Sequence, residues 1–370
     1  MLNSLLEAER LELVQRTKNN VPFNTDELDS IIKSFRNIVP AGAQLDESRL
    51  KEFIEKYAHM THKVWEKTDE AAKILCTILN DPSDPTFQAM FQRVLNEGGY
   101  STALQHARTQ RKTKKLSKPW VVLVTGLNGI RKTTAMQQPW FETVLHEALA
   151  SQLKDMDETV DMGDLPTAKN SFFRQLDFMV ATIANEEFRK LYKMKEVGIY
   201  AKHKDAVFAR YRTMAEILGM LLCKAVNKEC MNCLVETSGR DIAMFEYIDY
   251  CFPAENYNKL VVHFTINDIS FAERSVDKRM KGELLAGQEA AARDNIFDII
   301  QSNAGGPYGS AQLKGVQEAS DITLGKVLSG ETELNGHWYK ARIAINASEE
   351  KPWTCMANVD GGSVFAFDNR

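Results

Sequence analysis

Cysteine is scarce in this chain, and what there is does not cluster. Six cysteines stand at 76, 223, 230, 233, 251 and 355 of 370 residues. A disulfide-stapled scaffold needs denser spacing, so reduced thiols in a cytosol-like compartment are expected. Only Cys230-Met-Asn-Cys233 has the spacing of a metal or redox pair. No second pair or ligand-spaced histidine follows it, and it heads an apolar run where small buried thiols are common, so it reads as structural. An excess of basic charge is also missing. Lys and Arg number 46 against 50 Asp and Glu, a formal net charge of -4, which argues against a general affinity for nucleic acid or acidic membranes. No uncharged apolar run approaches the roughly 20 residues that a membrane-spanning helix requires. The segment Met1–Arg10 carries acids early and lacks an apolar secretory core, so a cytoplasmic protein is expected.

What remains is an ordinary globular composition, 44% hydrophobic and 26% charged, in a chain long enough for two domains. The first hundred residues read as helix. Leu28, Ile31, Ile32 and Phe35 recur at helical spacing after a cap at Asn24 or Thr25. A longer stripe from Asp46 carries Leu50, Phe53, Ile54, Tyr57, Val64, Trp65, Ile74, Leu75, Ile78 and Leu79, until two prolines in Asn80–Pro85 break it. A further helix, Thr86 to Glu97, ends at Gly98-Gly99. These stripes read as core, with a protein partner on this helical domain as the alternative. Residues 108–118 form a basic stretch (Arg108, Arg111, Lys112, Lys114, Lys115, Lys118) without interleaved aromatics. It is read as a solvated linker rather than a nucleic-acid surface. The expected organisation is a helical domain over 1–107, this linker, an α/β domain over 119–350, and a terminal β-hairpin over 351–370.

From Pro119 the character alternates. Trp120–Thr125 is a continuous apolar, β-branched run, as for a buried parallel strand. Further strands are expected at Glu158–Met162, Met231–Glu236, Lys259–Ile266 and Tyr339–Ile345, with helices Ser171–Lys193 and Asp205–Asn227 among them. Alternating strands and helices imply a parallel sheet covered on both faces. A Gly361-Gly362 turn joins the two arms of the terminal hairpin, Cys355–Val359 and Ser363–Phe367.

Directly after the first strand the chain reads Gly126-Leu127-Asn128-Gly129-Ile130-Arg131-Lys132-Thr133-Thr134. A Walker A loop uses glycines so that backbone N–H groups wrap the phosphates, a lysine to reach their oxygens, and a Ser or Thr hydroxyl for Mg²⁺. Gly126, Gly129, Lys132 and Thr133 occupy those places, with a strand before and a helix N-terminus after. The glycine usual before the lysine is replaced by Arg131, whose side chain must point away, reshape the loop, or itself neutralise phosphate. The loop, the acidic segment Asp161-Met-Gly-Asp164, the turn Glu236-Thr237-Ser238-Gly239-Arg240 and the later arginines together resemble the zeta toxin-type P-loop kinases, over about Pro119 to Ile345.

That resemblance implies a P-loop NTPase-like α/β fold, ATP or GTP as phosphoryl donor, Mg²⁺ held by Thr133, and a small-molecule hydroxyl as acceptor. In the known toxins the acceptors are nucleotide-sugar precursors of the cell wall. It also implies an aspartate at the end of the second strand that takes the acceptor's proton, matched here by Asp164 or Asp161. Glu236 with Thr237, Ser238 and Arg240 would contact substrate; Glu236 could equally hold a Mg²⁺-bound water. Arg274, Arg279 and Arg293 are the candidates for neutralising charge on the transferring group. Arg274 and Arg279 lie five residues apart, roughly 140° round a helix, so both need not face one ligand. Asn303–Gly309 reads as a glycine-rich connection or a mobile loop. Two rivals stand beside the kinase: a non-catalytic nucleotide-binding module working through its helical domain, and a nucleic-acid end kinase using residues 108–118.

Overall fold

The computed structural model describes residues 2–113, 118–155, 165–307, 309–347, 354–359 and 363–368. The expected strand at 158–162 therefore lies outside the described residues. The chain divides into two compact units, each discontinuous in sequence. Unit 1 comprises Met1–Asn96, Gln175–Ala225 and Asp277–Gly309; unit 2 comprises Glu97–Arg174, Val226–Val276 and Ser310–Arg370. This division differs from a boundary at 108–118. Arg108 and Arg111 lie on the helix Tyr100–Lys112 and pair with Glu229 at 3.6 and 2.8 Å, within unit 2.

Unit 2 is built on seven strands: β1 (Trp120–Gly126), β2 (Ser171–Arg174), β3 (Asn232–Glu236), β4 (Asn258–Ile266), β5 (Trp338–Ala347), β6 (Thr354–Val359) and β7 (Val364–Asp368). Their order is β2-β3-β1-β4-β5-β6-β7. The first five are parallel, and β6 and β7 extend the sheet as the expected antiparallel hairpin. Every residue of β1 is buried, which is why that strand reads as an unbroken apolar run with no alternation. Val122, Val124, Leu234, Leu260, Val262, Phe264 and Ile343 pack with Val144, Leu145 and Leu149 of the helix Phe141–Asp155 in one core. A five-stranded parallel sheet with a glycine-bearing loop leaving its central strand is a P-loop NTPase-like α/β fold.

The expected helix Ser171–Lys193 is corrected in its first turn. Ser171–Arg174 is strand β2, paired with β3 through Phe172↔Cys233 and Phe173↔Leu234, and helix resumes at Leu176–Ile183 and Asn185–Leu191. All four strand residues are buried, with no alternation to betray them. Phe172 meets Tyr100 edge-on at 5.5 Å, and the Arg174 guanidinium lies over the Tyr247 ring at 4.8 Å.

Unit 1 is helical where it is described. Asn24 is the N-cap of Thr25–Ile38, its side chain accepting from the Glu27 N–H while Glu27 reaches back in a capping box. The long apolar stripe is two helices, Glu47–Tyr57 and Trp65–Leu79. Leu28, Ile31, Phe35, Leu50, Phe53, Ile54, Leu75 and Leu79 are all buried, so most of the stripe is spent on the unit's own core. The expected helix at 86–97 is likewise two, Pro85–Met90 and Gln92–Glu97. No helix among the described residues is long and apolar enough to cross a membrane.

Candidate functional site: the loop after the first strand

Gly126 ends β1 at φ +126, and a Cβ there would stand 2.3 Å from the Phe264 carbonyl oxygen of β4. Gly129, at φ +86, lies against the helix Ile269–Arg293: a Cβ would stand 2.6 Å from the Ala272 carbonyl oxygen and 2.8 Å from Val276 Cγ1. Both glycines are therefore required by close backbone approach as well as by conformation. Leu127 and Ile130 are fully buried and pin the loop from below. Arg131 sits at φ 65, ψ 31, in the left-handed region that favours glycine. The loop thus keeps the backbone conformation of a glycine at this position while carrying an arginine.

The helix that follows begins at Lys132, as expected, and runs to Met136, before Phe141–Asp155 resumes beyond Pro139. Lys132 is 3% exposed. Its ammonium donates to the carbonyl oxygens of Gly126 and Leu127, both at 2.9 Å, and lies 3.2 Å from Glu236 Oε1. The second oxygen of the same carboxylate accepts from the Thr133 hydroxyl at 3.1 Å. Glu236 is the last residue of β3 and stands in register with Val124 of β1. Two adjacent parallel strands thereby deliver an acid, an ammonium and a hydroxyl to one point at their carboxyl ends, where ligands of open α/β sheets bind.

The turn after Glu236 is laced to β1. The Thr237 N–H donates to the Val124 carbonyl at 2.9 Å, and the Gly126 N–H donates to the Ser238 carbonyl at 3.3 Å. Gly239, at φ +75, leaves no room for a Cβ, which would stand 2.6 Å from Thr125 Cβ. Arg240 is exposed. Beneath this turn lies a relay that the sequence did not disclose. Thr125 Oγ1 is 2.8 Å from His263 Nδ1, and His263 Nε2 is 2.8 Å from Asp321 Oδ1. Burial holds the His263 pKa below its ordinary value, against the pull of Asp321. The neutral ring that results donates from Nε2 to the carboxylate and accepts the Thr125 hydroxyl at Nδ1.

Each of the other expected site residues belongs to one unit or the other. Asp161 and Asp164 lie outside the described residues. With β2 at Ser171–Arg174, the first carboxylate beyond that strand is Asp177, on the helix Leu176–Ile183, whose Oδ2 accepts the Gly306 N–H at 2.5 Å. Arg274 is exposed and pairs with Asp268 at 3.3 Å and with Ser270 at 2.8 Å. Arg293 is exposed and pairs with Asp298 at 3.1 Å. Arg279, in unit 1, packs against Gly306, where a Cβ would stand 2.3 Å from Nη2.

Asn303–Gly309 is tied down where it is described: Glu283 Oε2 accepts the Ala304 N–H at 2.8 Å, and Asn303 Oδ1 accepts the Gly305 N–H at 2.9 Å. Cys230 is exposed while Cys233 is buried in β3, and neither forms a disulfide. Among the described residues no group of three or more His, Cys, Asp or Glu is placed to hold a metal ion. The Thr133 hydroxyl and Glu236 carboxylate are hard oxygen donors. They suit a Mg²⁺ ion that keeps most of its shell as water and phosphate, because that ion is held by one or two protein oxygens rather than by a protein cage.

No protein-family model matches the chain, and no curated protein matches it. Among solved structures, it is similar to a chain from the PezAT chromosomal toxin-antitoxin system of Streptococcus pneumoniae. That likeness has 11% identity and a TM-score of 0.34, over 70% of this chain and 78% of that one. At such values it adds no weight to the chemistry of the loop, which stands on its own geometry.

Proposed function

We propose that unit 2 binds a nucleoside triphosphate at Gly126–Thr134 and serves a phosphotransferase that passes the terminal phosphoryl group to a hydroxyl of a small molecule. The observation that carries this reading is the convergence of Lys132, Thr133 and Glu236 at the carboxyl ends of β1 and β3. Lys132 and the loop amides bind the phosphates of ATP or GTP. Thr133 and Glu236 hold the Mg²⁺ ion, which supplies charge neutralisation when bound. Thr237, Ser238 and Arg240 line the same edge and contact the acceptor.

Phosphoryl transfer asks the protein for positioning and charge more than for a strong base. A carboxylate that orients the acceptor hydroxyl is assigned to the segment holding Asp161 and Asp164. Arg274, Arg279 and Arg293 are the cations proposed to stabilise the transferring group, and the nucleotide-sugar class is the first acceptor to try. Arg131 is no bar to binding, because its backbone already has the conformation a glycine would take.

The test is transfer of label from γ-labelled ATP into a metabolite extract, run beside Lys132→Ala, with Mg-ATP binding measured on both proteins. Binding and label transfer by the natural protein alone is the expected result. Binding without transfer to any acceptor would favour the non-catalytic module, and no binding at all would reject the reading. An end kinase would instead show salt-sensitive oligonucleotide binding. Against it, Arg108 and Arg111 are already paired with Glu229.

A further inference from the structure

The loop contains a conflict of charge. In a phosphate-binding loop the lysine has to be available to phosphate oxygens. Here the Lys132 ammonium already has two carbonyls and a carboxylate around it, and the same carboxylate holds the hydroxyl of Thr133. Glu236 is 31% exposed at its side chain while Lys132 is 3% exposed. One member of the pair can turn toward solvent; the other is fixed in the loop. A polyphosphate arriving at Lys132 therefore meets an anion on the ground it must occupy. Like charges brought to contact in a partly desolvated site repel strongly.

We propose that Glu236 is a latch that couples nucleotide binding to the divalent cation: its carboxylate closes the empty loop over Lys132 and Thr133, and opens when a metal ion offers it a new counter-charge. This rests on the nucleotide reading above and deepens it. Without metal, phosphate must displace Glu236 from Lys132 and leave two anions side by side. With metal, the displaced carboxylate and the freed Thr133 hydroxyl have a cation to face, and the ammonium passes to the phosphate. Each ligand then raises the affinity of the other by the same factor, as linkage requires.

The coupling is read by titrating ATP in EDTA and in Mg²⁺ against the natural protein and Glu236→Gln, a variant that keeps the shape and removes the charge. The natural protein is expected to bind ATP roughly tenfold or more tightly with Mg²⁺ than with EDTA. In Glu236→Gln, metal-free binding strengthens by a similar factor and most of the Mg²⁺ enhancement disappears. If Glu236→Gln binds metal-free ATP no more tightly than the natural protein does, the latch is wrong.

Amide hydrogen exchange on the natural protein supplies a second readout that needs no variant. Residues 126–134 are expected to gain protection from ATP and Mg²⁺ together, and little from ATP in EDTA. Equal protection under both conditions also overturns the latch. Absence of ATP binding to either protein under either condition overturns the nucleotide reading itself, and the latch with it.

Discussion

Lys204 and Glu283 form an ion pair in unit 1 at 2.8 Å with both side chains wholly buried. The perturbation to make is Glu283→Gln, which preserves volume and removes the charge. The carboxylate does more than face a lysine. It also accepts from the Tyr200 hydroxyl, from Asn303 Nδ2 at 3.3 Å and from the Ala304 N–H at 2.8 Å, so it anchors the start of the glycine-rich segment 303–309. In Glu283→Gln the Lys204 ammonium loses its paired carboxylate and keeps neutral neighbours, the Gly305 carbonyl at 3.4 Å and the Phe208 ring at 5.3 Å among them. Removing one partner of a buried pair costs about 3–5 kcal/mol, because the other charge is left uncompensated.

The cost has a ceiling. Burial already pushes the Lys204 pKa below its ordinary value, with Glu283 opposing. Once the carboxylate is gone the lysine can escape by losing its proton, which costs about 1.4 kcal/mol per pH unit below its ordinary value of about 10.4, hence about 5 kcal/mol near neutrality. Urea denaturation should therefore show a loss of about 3–5 kcal/mol. The variant's stability should rise with pH more steeply than that of the natural protein between about pH 7 and 10, since the unfolded lysine holds its proton throughout that range. Lys204→Met in the same background should recover a large part of the loss. A change in Glu283→Gln below about 1 kcal/mol, with no added pH slope, would refute the reasoning.

Three further outcomes follow from unit 2. Gly129→Ala places a methyl against a backbone carbonyl that cannot rotate away, in the left-handed region. It should cost about 2–4 kcal/mol in chemical denaturation and loosen ATP binding; a loss under about 1 kcal/mol would mean that the loop moves freely off the helix. Arg131→Gly relieves about 1–2 kcal/mol of left-handed strain and returns about 0.5–1 kcal/mol to the unfolded chain. A small gain of stability is expected, and a destabilised variant would mean that the arginine side chain holds the loop. His263 has its pKa lowered by burial, so below the ordinary value of about 6.5 the unfolded chain binds more protons. Stability should be full above that pH and fall as pH drops toward the lowered folded value. The difference between the natural protein and His263→Gln in denaturation at a series of pH values measures this term, and parallel curves would remove it.

The sheet and its loop were legible because their signals are local. An unbroken β-branched run, two glycines and a Lys-Thr pair need no knowledge of the rest of the chain, and β3, β4 and β5 fall within two residues of where they were expected. Strand β2 was misread because four buried residues, Ser-Phe-Phe-Arg, continue smoothly into the helical spacing of Leu176, Met179, Val180 and Ile183. Periodicity cannot separate a short strand buried on both faces from the first turn of a buried helix. Burial at the register Phe172↔Cys233 decides it, and Cys233 lies 61 residues away in sequence. The Thr125–His263–Asp321 relay was invisible for the same reason: its members sit on three separate elements and have no spacing to recognise.

Arg131 was the residue that set this loop apart, and its backbone separates two properties that a Walker A sequence normally confounds. Glycine before the lysine supplies a left-handed conformation and an absence of side chain. Arg131 has the first without the second. The direction in which the loop amides point is fixed by φ and ψ, so the backbone conformation that a glycine would give survives the substitution; the cost appears as strain of about 1–2 kcal/mol borne by the fold. On the proposed reading, control over charge falls to Glu236 at the end of β3, which touches both the ammonium and the hydroxyl that a nucleotide and its metal would claim. On that reading the arginine bears on how stable the loop is, and the glutamate on when the loop opens.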